Sequence, residues 1–148
     1  MFEFIKSAFP YKAKSVEEFV KLVEREACKA AVVVPCTVAK GAVPTTSIGI
    51  IAHFRYVLEF TATTPRSRKV VYKENLFERF GSDSGFGDAN ERRKAAIKAF
   101  LLGEQKVKEL QAKLQGVTVD LMGPNGRPMD DRMYAELHED AVVCDVSV

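Results

Sequence analysis

Apolar positions recur along the chain at two spacings, and the spacing assigns most of its elements. From Val16, apolar residues fall at Phe19, Val20, Val23, Ala27 and Ala30, the intervals of three and four that make one face of an α-helix. Ser15-Val16-Glu17-Glu18 at its start is a capping box: the Ser15 hydroxyl accepts from the Glu18 N–H, and the Glu18 carboxylate reaches back. This helix is expected to end near Ala30. Ala31-Val32-Val33-Val34 then reads as a buried strand stopped by Pro35. Residues 37–47, with Gly41 and Pro44, read as a loop carrying short extended pieces. Over residues 48–63 the period becomes two. Phe54, Tyr56, Leu58 and Phe60 take one side of a strand, and His53, Arg55, Val57, Glu59 and Thr61 take the other. A turn over residues 63–67 leads to a second strand at 69–73, an antiparallel hairpin. Residues 75–80 fit either an extension of that strand or a helical turn.

The helical period returns in the second half. Residues 81–88 have a loop's composition, with three glycines and two aspartates. Asp88, with Glu91 three residues on, suits a helix N-cap. Ile97, Phe100, Leu101, Val107, Leu110 and Leu114 form the seam of a long helix over 89–114. Gly103 weakens it by about 1 kcal/mol against alanine, and Gly116 ends it. Residues 117–122 read as a strand, Gly123-Pro124-Asn125-Gly126-Arg127-Pro128 as a turn, 129–139 as a short helix and 141–148 as a last strand. Residues 1–5 offer a short first strand before Phe9-Pro10-Tyr11 interrupts. The order (β)–α–β–β–β–α–β–α–β implies an α+β fold. We expect a mainly antiparallel sheet of four to five strands, with one long and two shorter helices packed on it, in one domain over residues 1–148.

Composition narrows the class more than the function. A chain 47% hydrophobic and 28% charged is an ordinary globular mix. No apolar run approaches the roughly 20 residues that span a bilayer, so no membrane partner is expected. The opening residues lack a signal-peptide layout, which makes a cytoplasmic location the expectation. Cys28, Cys36 and Cys144 are odd in number and suit reduced thiols. A net charge of +2 implies nothing about nucleic acid by itself, so any such reading rests on where the cations cluster.

Three constellations carry candidate chemistry. His53, Arg55 and Glu59 share one side of the 48–63 strand, where an imidazole, a guanidinium and a carboxylate could bind or protonate an anionic substrate. The same alternation is also what a half-buried sheet with an ordinary solvent side looks like. Arg55, Arg66, Arg68, Lys69 and Lys73 surround the hairpin, and Arg92 and Arg93 open the long helix, where cations oppose the helix dipole. Together they suggest an anion-binding surface for nucleic acid or another anionic ligand. The glycine-rich segment over 81–88 has neither Walker nor dinucleotide spacing. No CxxC, HxH or HExxH motif is present, so the sequence implies no metal and no cofactor.

The core order α–β–β–β–α–β resembles that of the restriction-endonuclease-like nucleases. Their pattern places an acidic residue on one strand and an acidic–x–lysine on the next. Lys69-Val70-Val71-Tyr72-Lys73-Glu74 lacks that motif, which leaves Glu59 without its supporting partner. A ferredoxin-like arrangement fits the order as well. The expected function is a binding or assembly module with an anionic partner. A small enzyme using His53 and Glu59, and a structural homodimer formed through the long helix or an edge strand, are the alternatives.

Overall fold

The computed structural model describes residues 11–26, 29–33, 36–38, 43–45, 49–63, 69–82, 89–114 and 117–148. Among them, three helices and a seven-stranded sheet make an α+β fold. In chain order the elements are β1 (Tyr11–Lys12), α1 (Val16–Glu26), β2 (Lys29–Val33), β3 (Cys36–Val38), β4 (Val43–Thr45), β5 (Gly49–Thr63), β6 (Lys69–Ser82), α2 (Ala89–Lys113), β7 (Val119–Met122) and α3 (Asp131–Val143). The expected strand over 1–5, the 64–68 turn with Arg66 and Arg68, the 83–88 segment with Asp88, and Cys28 and Gly116 lie outside the described residues.

The sheet runs β1-β6-β5-β2-β7, with β3 and β4 also pairing with β5. β5 is antiparallel to β2, β3, β4 and β6. β1 runs parallel to β6, and β7 parallel to β2. The sheet is therefore mixed, and larger than the mainly antiparallel one expected. Two crossovers explain this. β1–α1–β2 and β6–α2–β7 each leave one strand, pass over two others and enter a parallel strand in the same direction across the sheet. Crossovers share one handedness, so both helices land on the same face.

That face holds the core. Phe54, Tyr56, Leu58, Phe60 and Ala62, the alternate positions of β5, are all buried. Phe19 and Val23 of α1 and Leu110 and Leu114 of α2 close over Leu58, Phe60 and Ala62, with Val119 and Leu121 of β7 in the same cluster. The Phe19 and Phe60 rings lie 5.8 Å apart. Toward the other end, Ala95 and Ala99 of α2 cover Phe54 and Tyr56. α3 docks on α2 through Leu137 and Ala141 against Ile97 and Leu101.

Four parts of the sequence reading are sharpened or changed: the short extended pieces expected over 37–47 and the strand option for 75–80 are present, and two boundaries differ. α1 does not reach Ala30, because Lys29–Val33 is taken up by pairing with β5 on one side and β7 on the other. β3 and β4 form within the expected loop by pairing with β5. Residues 75–80 continue β6 as strand. The register passes from Tyr56↔Phe77 to Val57↔Asn75, so Leu76 is an extra residue in a bulge. Leu76 and Phe77 both pack against the Phe54–Tyr56 cluster beneath α2. The fourth is a correction. Residues 141–148 form no strand: α3 runs to Val143, and the chain then turns through Asp145 at φ 55. Leu137 and Ala141, one helical turn apart, meet α2 only if the helix continues, and this outweighs the strand preference of Val142 and Val143, which stay exposed. Asp130 caps α3, accepting from the Met133 N–H at 2.9 Å.

Candidate anion-binding surface

With α1 and α2 on one face, the opposite face of β5 and β6 displays the predicted site residues. Alternation puts Arg55, Glu59 and Thr61 of β5 there, and Lys69, Val71 and Lys73 of β6. Register sets Glu59 opposite Lys73, and Thr63 opposite Lys69. β1 adds a residue that no sequence pattern singled out. Tyr11 pairs with Val70 and Lys12 with Val71. The Tyr11 hydroxyl donates to Glu18 on α1, which turns Tyr11 toward the helices and Lys12 toward the open face.

Lys12 therefore stands beside Val71, between Lys69 and Lys73, and all three lysines are exposed. Strand geometry puts Lys69 and Lys73 roughly 13 Å apart, with Lys12 about 8 Å from each. Arg66 and Arg68 lie in the five-residue segment joining Thr63 to Lys69. The Glu18 carboxylate anchors this edge. It accepts from the Tyr11 hydroxyl and from the Lys14 backbone N–H, and these two bonds hold its pKa below the ordinary glutamate value. The Ser15 hydroxyl accepts from the Glu18 N–H at 3.1 Å, as the capping box requires.

The other predicted residues are not gathered at this edge. The Arg55 guanidinium lies 3.5 Å from the Glu78 carboxylate across the hairpin, a half-exposed pair worth at most about 1 kcal/mol. His53 pairs in register with Phe80, and its side chain lies outside the described residues. Six strand positions separate His53 from Glu59, roughly 20 Å, so the two cannot act on one atom. Neither β5 nor β6, followed to Ser82, carries an acidic–x–lysine.

Arg92 and Arg93 sit at the far end of the hairpin. α2 starts beyond Ser82, which pairs with Ile51, whereas Lys69 pairs with Thr63, on the order of 40 Å away along the strand. Arg93 reaches Asp140 of α3 at 3.3 Å, and the Lys98 ammonium lies 4.8 Å from the centre of the Phe77 ring. These contacts offset the cost of cations at the start of α2 without a ligand.

Lys12 escaped the sequence reading because a two-residue strand has no periodicity. Only its nearness to Tyr11 and to the capping box marks it. Also unforeseen is a pair across α2 and α3: the His138 Nε2 lies 2.9 Å from the Glu104 Oε2, with Glu104 largely buried. Among the described residues, no three His, Cys, Asp or Glu side chains group as metal ligands. No described helix is long and apolar enough to cross a membrane. No protein-family model matches this chain, and no significant match was found among curated proteins or solved structures.

Proposed function

We propose that this protein is a binding module that recognises a polyanion, nucleic acid foremost, with the open sheet face at the β1–β6 edge. The observation that carries this reading is the placement of Lys12 between Lys69 and Lys73. It turns a row of lysines on β6 into a two-dimensional cluster, and Arg66 and Arg68 neighbour Lys69 in sequence. Glu59, opposite Lys73, is the acidic residue that register sets against them. Cations spread over two strands match a phosphate backbone better than a single row does, and phosphate contacts account for most sequence-independent affinity.

The test is titration of the purified protein against single- and double-stranded nucleic acid at low and moderate salt, with and without magnesium. Micromolar binding that weakens steeply with salt is the expected result. Absence of binding at low salt would end this reading. Magnesium-dependent cleavage would replace it with an enzymatic one.

A further inference from the structure

We propose that the outward face of α3 docks on the lysine-bearing open face of a second copy of this chain, so that the protein self-associates head to tail. Residues 130–145 hold six carboxylates and one arginine, in a chain whose net charge is +2. Negative charge is thus gathered on α3 and its C-terminal end, and the rest of the chain is basic. Asp131, Ala135, Glu139 and Val142 share the stripe of α3 turned away from Leu137 and Ala141, and all four are exposed.

Two observations set this face apart from an ordinary solvated one. Val142 and Val143 are 82% and 72% exposed, and with Val148 they are three of the five large hydrophobics exposed among the described residues. Clustered exposed apolar groups mark contact surfaces. The last turn of α3 also carries no cation. Glu139, Asp140 and Asp145 therefore add negative charge at the end of the helix where the dipole is already negative. Among the described residues, only Asp140 of these three has a cationic partner, Arg93.

Charge selects the occupant. Nucleic acid, an anionic membrane or a second α3 would set like charges together, whereas a basic surface with an apolar centre complements this face. The chain itself carries one. Val71 is half-buried on the open face, with Lys12 beside it and Lys69 and Lys73 two positions away on either side. Docking sets Val142 on Val71, with the Glu139 and Asp145 carboxylates against the lysines. Within one chain the two surfaces cannot meet, because α3 packs on α2 and the lysines lie across the sheet. Each terminal copy in an assembly therefore keeps one surface free, and growth is open-ended.

Sedimentation velocity of the full chain, freed of nucleic acid, tests this. The lysines are shared with the polyanion reading but the assay contains no polyanion, so either reading can fail alone. At low salt the weight-average mass is expected to rise above the 16.5 kDa of one chain as concentration increases, and to return to it at moderate salt. Glu139→Gln with Val142→Gln, and separately Lys12→Gln with Lys69→Gln and Lys73→Gln, should each hold the mass at one chain. All five positions are exposed, so the fold tolerates the changes. Mixed in equal amounts, the two variants should pair and stop at two chains, each supplying the surface that the other lacks, which unfolded variants could not do. A wild type that stays at one chain up to millimolar concentration at low salt would overturn the proposal. So would association that persists in either variant alone, or a mixture that fails to pair.

Discussion

Neutralising Lys12, Lys69 and Lys73 together, each to glutamine, gives the sharpest reading of the open face. All three side chains are exposed, so the triple variant should keep its stability within about 0.5 kcal/mol per site. If each lysine neutralises one phosphate, three counterions fewer are released on binding. The slope of log K against log salt then falls by about 2.7 for duplex and about 2.1 for single strands. Over a fourfold rise in salt, the wild type should therefore lose roughly 20- to 40-fold more affinity than the variant. Fluorescence anisotropy of a labelled oligonucleotide, titrated at several salt concentrations, measures that slope directly. Arg92→Gln with Arg93→Gln is the matched control. It removes two cations at the opposite end of the hairpin, one of them already paired with Asp140. The control should leave the slope unchanged within about 0.5. An unchanged slope in the lysine variant, or an equal fall in the arginine control, would refute the assignment of the β1–β6 edge.

Three further outcomes follow from the packing and caps. Leu121→Ala empties a 1%-exposed position under α2 and should cost about 2–5 kcal/mol in urea unfolding, whereas exposed Val142→Ala should stay within about 0.5 kcal/mol. Asp130→Ala removes the acceptor for the Met133 N–H and should cost about 1 kcal/mol by the same assay. Burial, then the charge of Glu74, raises the Tyr72 phenol above its ordinary value of 10.0; burial, then Glu104, raises Tyr134 likewise. The unfolded phenols ionise first, so this contribution is complete below pH 10.0 and is lost as pH rises through the folded values. Tm should fall above that pH, and Tyr72→Phe with Tyr134→Phe should flatten the fall.

The elements fixed by local chemistry were legible. The Ser15–Glu18 capping box, the two-residue alternation from Phe54 to Phe60 and the long seam from Ile97 to Leu114 each state their structure within a few residues. What was not legible depends on distant partners. β1 is a strand only because β6 lies beside it. Residues 75–80 were ambiguous because a bulge at Leu76 breaks the alternation that would have marked them. The valines after Ala141 have strand propensity, but α3 carries them because Leu137 and Ala141 must meet α2. The site followed the same rule. Lys69 and Lys73 could be found by sequence, and the span from His53 to Glu59 already follows from the strand expected over 48–63, whereas Lys12 needed the parallel pairing. Lys106, the ion-pair partner of Glu74, lies on α2, whose packing against β6 no local pattern encodes.

The placement of β2 between β5 and β7 has a consequence for how the chain is made. β5 leaves the ribosome soon after β2 and can pair with it at once. The other edge of β2 must wait until α2 is complete, because Ala30 pairs with Val119 and Val33 with Met122. In that interval the valine-rich strand presents an unpaired ladder of backbone donors and acceptors, the template on which foreign strands add. A ribosome stalled before β7, or a truncation there, would release a sticky intermediate and not a smaller working protein. The last strand to arrive thus acts as the seal that makes the nascent chain safe in a crowded cell.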